Sequence, residues 1–484
     1  VEILAKMDID EVFGNEAGEE ESRDFLKEVY IENDIYARAI GNTRIVCVRS
    51  RKGVGKSALL ARAFTHCEHK GYSALWLSPT DLAVQLDTDY NISVDRLKKR
   101  LARLSVGCLA KKIGFSAAEN ADEAIAWAEK DGFRSKDFIS KVAKTFQDVV
   151  KAKNDPGISE DSVTRLLARF AEQKVLTIFI DDLDRGWRPT GPDSIRLKAM
   201  ISAIREIARE CDGVSFRLSL REDVWQYLEI HDEQIDKFRQ YAHFLKWDDA
   251  ALRKIIGKRI WHYCKQNING YSVSSSDDLS NIYELFDRTY TWSEEIKQMH
   301  EVLTNLSRRR PRDIIQLVKG AAVRAKSEGH TKIQETDVRN EFVYSYSRVR
   351  TLDLIKEFKN ECEQMESLIT VFGGKRYIRV MPYQEVIGLI KSVNGRISIE
   401  IFGKRATDVD CHNFLYRCGF ISAREKISLT KYRHKLYEDA PSLIESMVGV
   451  EKYDWEIHAA FRPYLESLQV SPYQEKTRKS KRGR

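Results

Sequence analysis

The sequence predicts an α/β protein with a parallel-sheet core, a helical region after it and a mostly helical C-terminal domain. Three observations predict this. Short apolar runs bounded by turn signals alternate with longer stretches of helical periodicity up to residue 247. One of these runs, residues 174–182 (KVLTIFIDD), stays apolar until it ends in two acids, as a strand buried on both faces does. After Trp247 the strand-like runs thin out and helical spacing takes over.

Residues 21–40 read as one helix with Phe25, Leu26, Val29, Tyr30 and Ile35 at its apolar positions. Residues 43–49 (TRIVCVR) form a strand, residues 50–56 a glycine-containing turn, and residues 57–70 a helix carrying Leu59, Leu60 and Phe64. A second strand follows at 73–77. Residues 93–173 are charged and helical, with Leu97, Leu101, Leu104 and Leu109 at helical spacing and a break at Asn154-Asp155-Pro156-Gly157. Strands at 174–182 and 215–220, and a weaker one at 241–245, complete the α/β part. Asp248 is placed to cap a helix reaching about Lys265, and Pro311 opens another. Residues 352–365 read as helical. Two short helices, 383–393 and 409–417, precede a hairpin over 420–437. The chain thus divides into an N-terminal helical segment (1–40), a core (41–247) with a helical insertion (about 93–173), a helical part (248–345), a C-terminal domain (346–470) and a tail (471–484).

Composition bounds the function. With 42% hydrophobic residues and only 25 Gly and 9 Pro in 484, neither disorder nor a collagen-like or low-complexity chain fits. No apolar run approaches the roughly 18 residues of a membrane span, and residues 1–14 lack a signal-peptide layout. The net charge is +7, but residues 475–484 alone carry six basic side chains against Glu475. The body is close to neutral, so nucleic-acid binding would rest on local patches or on the tail; a solvated, disordered end is the plainer reading of that tail. Eight cysteines without a C-x-x-C pair point to a reduced, cytoplasmic protein. His66, Cys67 and His69, with Cys411 and His412 far downstream, do not have zinc-site spacing.

The strongest motif is Ser50-Arg51-Lys52-Gly53-Val54-Gly55-Lys56-Ser57, set between an apolar strand and an amphipathic helix. Glycines there let backbone N–H groups turn inward around phosphate oxygens, and the helix points its positive end at the same anion. This is a P-loop pattern in which Ser50 stands where the first glycine usually does. Serine suits that place only where the backbone does not need a positive φ. Lys56 would reach the β- and γ-phosphates, Ser57 would hold Mg²⁺, and Ala58 completes the cradle. The second motif is Asp181-Asp182-Leu183-Asp184-Arg185 after the apolar strand. Asp181 is the candidate carboxylate on the Mg²⁺ side and Asp182 the candidate base or water-positioning group; a simple helix N-cap is the alternative.

The stretches KGVGKSALL and FIDDLDR resemble P-loop ATPases of the AAA-like, STAND and KAP group, common in bacteria, over about residues 20–345. The resemblance implies ATP and Mg²⁺ as cofactors, with the acid pair suiting ASCE-type enzymes. It also makes residues 248–345 a helical lid and offers two sensor arginines: Arg221, ending a strand, and Arg312, opening the lid helix at Pro311. Either arginine could instead form a surface ion pair. No guanine-reading N-K-x-D sequence occurs, which favours ATP. The resemblance puts the base near residues 31–40.

The helix pair and hairpin of the C-terminal region resemble a winged-helix unit. Lys404, Arg405, Arg417, Arg424, Lys426, Lys431 and Arg433 give it basic character. The expected function is an ATP-hydrolysing switch or motor acting on a partner, on its own oligomer or on nucleic acid, with defence or stress roles implied by resemblance alone. A nucleotide-gated DNA-binding regulator with little hydrolysis is the alternative; a phosphotransferase is a weaker third reading. No membrane partner is expected.

Overall fold

The computed structural model describes residues 3–468 except 17, 19, 80–88, 113–166, 168–170, 172–174, 233–234, 270, 272–274, 278, 293, 375–376, 429–431 and 446–449. Most of the predicted insertion, Lys431 and the basic tail therefore lie outside the described residues. The chain forms two compact units, one of Ala17–Leu245 and one combining Val1–Glu16 with Lys246–Arg484.

The unit of residues 17–245 is built on five parallel strands: β1 (Ile45–Ser50), β2 (Ser73–Leu77), β3 (Leu176–Ile180), β4 (Val214–Arg221) and β5 (Ala242–Phe244). Their order is β2-β3-β4-β1-β5, so β4 lies between the loop-bearing strand and the acid-bearing strand. β1, β3 and β4 are short, apolar and almost wholly buried, as a sheet covered on both faces requires. Alternate residues take opposite faces. Cys47, Leu75, Ile178, Ile180, Phe216 and Leu218 share one cluster with Leu197, Ile201, Ile204 and Ile207. On the other face Phe179 stacks on Trp76 at 5.9 Å and meets Phe64 edge-on at 5.3 Å.

Residues 21–40 form two helices, α1 (Arg23–Val29) and α2 (Asp34–Ile40), not one. Tyr30 is extended, and the Asn33 side chain accepts from the Tyr36 N–H at 2.9 Å, so a capping residue starts a new helix inside an otherwise continuous apolar pattern. α3 (Lys56–His69) follows β1, α4 (Tyr90–Lys112) and α5 (Gly191–Glu210) pack on each other, and α6 (Glu222–His231) begins directly after β4.

In the other unit Asp248 caps α7 (Asp249–Asn267), its side chain accepting from the Ala251 N–H at 2.7 Å. Pro311 is the first residue of α8 (Pro311–Ser327). Helical backbone runs from Glu341 through a π turn at Phe342–Tyr346 directly into α9 (Ser347–Phe358), so the helix expected at 352–365 starts earlier and ends sooner; a second helix, Met365–Thr370, follows a break. α10 (Tyr383–Ile397) and α11 (Asp408–Arg417) occupy the predicted pair of helical stretches. The predicted hairpin pairs β7 (Ile421–Lys426) with β8 (Tyr432–Lys435). These belong to a four-stranded antiparallel sheet of order β8-β7-β9-β6, with β6 at Val380–Pro382 and β9 at Asp454–Ile457. Among the described residues no helix is long and apolar enough to cross a membrane.

Candidate functional site

β1 ends at Ser50, which is fully buried and pairs in register with Arg221 of β4. Ser50 is not among the residues with positive φ. The glycine that usually stands there is not needed for backbone geometry. The left-handed turns fall on Gly53 (φ 80°) and Gly55 (φ 102°), and Gly55 is the N-cap of α3. The first turn of α3 therefore begins at Lys56 with its N–H groups unclaimed by the preceding helix turn, the arrangement that attracts a phosphate. Lys56 is buried, and its Nζ donates to the carbonyls of Ser50 at 3.2 Å and Arg51 at 3.4 Å, which folds the ammonium back over the loop. Val54 is buried at the loop's tip. Ala58 lies so close to Gly18 that a Cβ on Gly18 would sit 2.5 Å from the Ala58 Cβ.

Asp181 follows β3 directly. Its Oδ1 accepts from the Ser219 hydroxyl and from the Asp182 N–H at 3.1 Å, and the Ser57 side chain lies beside the carboxylate. Burial raises its titration above the ordinary carboxylate range and the Asp182 charge adds to this, while the Ser219 and Ser57 hydrogen bonds and the Lys56 charge pull it down. Asp182 is exposed and adopts φ 51°, and its N–H donates to the Ser219 hydroxyl at 2.7 Å. The turn therefore aims the second acid into solvent while the first stays against the loop. A left-handed non-glycine residue costs of order 1 kcal/mol, and the Ser219 bond helps fix it here.

Two residues outside the sequence-stated set complete the centre. Ser219 sits beside Asp181 in the sheet and binds both the Asp181 carboxylate and the Asp182 amide; its signal was a hydroxyl inside the apolar strand SFRLSL. Asp184 is almost fully buried, and burial pushes its carboxyl up to about 6 against the opposing charges of Arg221 and Lys56. It was visible only as the third acid of DDLD. Arg221 ends β4 with its Nε donating to Asp223 at 3.1 Å, its Nη2 on the same carboxylate and its Nε 3.7 Å from Asp184. The guanidinium is thus held between two acids at the carboxyl edge of the sheet. Arg49 is similarly forked onto buried Glu222, at 2.7 and 2.8 Å.

The structure brings Ser50, Gly53, Val54, Gly55, Lys56, Ser57, Ala58, Asp181, Asp182 and Arg221 to the carboxyl ends of β1, β3 and β4 within one unit. This is where open parallel sheets bind ligands. The five-stranded parallel sheet with its helices matches the fold of a P-loop NTPase core. Arg312 belongs to the other unit, where its Nε donates to the Glu16 carbonyl at 3.2 Å. Its neighbours in the RRRPRD stretch are ion-paired: Arg308 with Asp313 at 2.7 Å, Arg309 with Asp439 at 2.7 Å, and Arg310 with Glu357 at 2.8 Å.

Ser57 and Asp181 supply neighbouring hard oxygen donors, a set that suits Mg²⁺.

The FunZ-associated C-terminal helical domain matches residues 250–355. No curated protein matches the chain. Among solved structures, the chain is similar to the ORC2 protein of Aeropyrum pernix in its ADPNP–ADP complexes, with 12% identity over 87% of this chain and 91% of that one, and a TM-score of 0.35. It is also similar to the Thermotoga maritima RuvB Holliday junction branch migration motor, with 10% identity over 85% and 96% and a TM-score of 0.33. Drosophila ORC bound to DNA gives 9% identity over 92% and 90%, with a TM-score of 0.31. At those identities and scores the likeness carries no argument about the site, which stands on its own geometry.

Proposed function

We propose that this chain is an Mg²⁺-dependent ATPase that works as a nucleotide-driven switch. The observation that carries the reading is the placement of Ser57, the first-turn hydroxyl of the phosphate loop, beside Asp181, the acid ending β3, with Asp182 turned outward next to them. In this reading the loop amides and Lys56 hold the β- and γ-phosphates, and Ser57 and Asp181 hold the metal, which supplies charge neutralisation on the phosphates. Asp182 orients or deprotonates water. Arg221 senses the γ-phosphate once it leaves its acid partners, and Arg312 reports from the helical lid, residues 248–345. Nucleotide state then governs how core and lid engage a partner protein or further copies of this chain. A reduced, cytoplasmic setting, read from eight cysteines without a C-x-x-C pair, and a role in bacterial defence or stress, implied by the sequence resemblance, belong to the same proposal.

A second reading, a nucleotide-gated DNA-binding regulator, has its own support. α10, α11 and the β7–β8 hairpin have the order of a winged helix, and Lys404, Arg405, Lys426 and Arg433 are exposed around it. Arg417 and Arg424 instead serve internal ion pairs with Glu361 and Glu456.

The test is ATP turnover by the purified full chain with Mg²⁺, with and without duplex DNA, for the wild type and Asp182→Asn. The variant should bind ATP yet lose about a hundredfold or more in turnover, the usual scale for a positioned acid–base group. Full turnover in the variant removes Asp182 from the mechanism. Slow wild-type turnover indifferent to DNA, together with tight ATP-dependent DNA binding, supports the second reading over the first.

A further inference from the structure

Within the unit of Lys246–Arg484 a cavity of about 370 Å³ opens between residues 292–309 and the β6–β9 sheet. Lys297, Arg309, Arg379 and Arg462 line it together with two carboxylates, Asp249 and Glu456, while Asp439 pairs with Arg309 at 2.7 Å and Glu295 with Lys297 at 3.5 Å. Glu456, on β9, is 2% exposed and serves as the shared counter-ion. Arg379 Nε donates to it at 2.9 Å, Arg462 also bonds it, and Arg424 Nε and His434 Nδ1 stand 3.5 Å away. One carboxylate cannot balance three guanidiniums. Its Oε2 accepts no hydrogen bond. That atom is enclosed, with Arg424 Nε and His434 Nδ1 at 3.5 Å beside it, so Glu456 is committed to the protein's own cations.

The surrounding groups show the same surplus of positive charge. His458 is held far below its ordinary titration by burial and by the charges of Arg308, Arg462 and Arg310, with His434 adding to them. The backbone is also built to present Arg309. Arg308 and Arg309 take successive left-handed conformations (φ 51° and 54°), sending Arg308 inward to Asp313 and Arg309 to the cavity wall. Trp292 lines the same space and supplies an aromatic surface.

We propose that this cavity binds a phosphorylated small molecule of mononucleotide size, its phosphate on Arg309, Arg379 and Lys297 and its ring against Trp292. The volume falls in the range of small-ligand sites, and a concave pocket of this size admits a mononucleotide and not a duplex. The inference does not depend on the phosphate loop or on hydrolysis.

The test uses the full chain carrying Lys56→Ala, which weakens the phosphate loop, and assigns binding to the cavity by its response to variants there. Calorimetric titration with AMP and with inorganic pyrophosphate should show saturable binding of each. Arg379→Gln, at a side chain 45% exposed, should weaken both about tenfold, the worth of one charge-assisted hydrogen bond. Lys297→Gln, 35% exposed, should do the same and serves if the first variant does not fold. Glu456→Gln removes the competing anion and should tighten pyrophosphate binding, an effect opposite in sign to simple structural damage. Failure of AMP to bind, binding unchanged by both Arg379→Gln and Lys297→Gln, or binding of duplex DNA with neither small probe overturns the proposal.

Discussion

Replacing Asp184 by Asn isolates what one buried acid does to the phosphate-loop unit. Its side chain is 2% exposed, and its carboxyl titrates at about 6 where an ordinary aspartate titrates near 3.8. That shift of about two units corresponds to about 3 kcal/mol at roughly 1.4 kcal/mol per unit. The sign follows from proton binding. Between about pH 4 and 6 the folded chain holds a proton on Asp184 that the unfolded chain has released, so stability falls as pH rises through that window. The stabilisation is fully present below about pH 4 and gone by neutrality. Asparagine carries no such titration and can still accept the Arg221 N–H, which Asp184 Oδ1 now accepts at 3.2 Å. The stability of the wild type minus that of Asp184→Asn should therefore drop by about 3 kcal/mol between pH 4 and pH 7. Urea unfolding of both proteins, followed by tryptophan fluorescence, measures this, since Trp187 and Trp225 are buried in the same unit. Other shifted acids such as Asp181 and Glu222 are common to both chains and cancel. Stability curves that run parallel across this range would refute the reasoning, because Asp184 would then be ionised in the folded protein at no cost.

Lys56→Ala should weaken ATP binding by at least about tenfold, because it removes the charged donor folded over the loop; equilibrium dialysis with unchanged affinity would remove Lys56 from the phosphate site. Arg217→Met should cost about 3 kcal/mol in denaturant unfolding. The buried guanidinium binds the Ala39 carbonyl and those of Gly41 and Thr43 at 2.8 Å, all of which methionine leaves unpaired. Gly213→Ala should lower the melting temperature, at a cost of about 1–3 kcal/mol. Gly213 has φ 81°, and an added Cβ would meet the Ala171 carbonyl oxygen at 2.7 Å; an unchanged melting temperature would show that the turn relaxes freely.

Much of the α/β part was legible because its signals are local. Apolar runs fix β1, β3 and β4, and the glycines at 53 and 55 fall where the backbone turns left-handed. The acid pair was legible as residues but not as geometry. Nothing in Asp181-Asp182 tells which one packs against Ser57 and which turns outward; that depends on Ser219, a residue 38 positions from Asp181 that the sheet brings alongside. The same long-range pairing hid Asp184 and Arg217. An arginine within SFRLSL weakens a strand pattern, yet here it reaches backbone carbonyls at the end of α2. The break between α1 and α2 was missed for the opposite reason, since a local cap at Asn33 overrode a smooth apolar period. In RRRPRD the proline was readable as a helix start, whereas the partners of its arginines come from residues up to 296 positions away.

Ser50 has a mechanical consequence. As the buried end of β1, paired with β4, it clamps the loop on the strand side and leaves Gly53 and Gly55 as the soft joints on the helix side. Any strain from seating a phosphate is then taken up within a few residues ahead of α3, while the strand behind moves as a plate. Arg221, registered against Ser50 on β4, rides on that plate. The distance between the cradle and the arginine is therefore set by sheet stiffness, so a length error in the loop would be read at Arg221 without being diluted along the way.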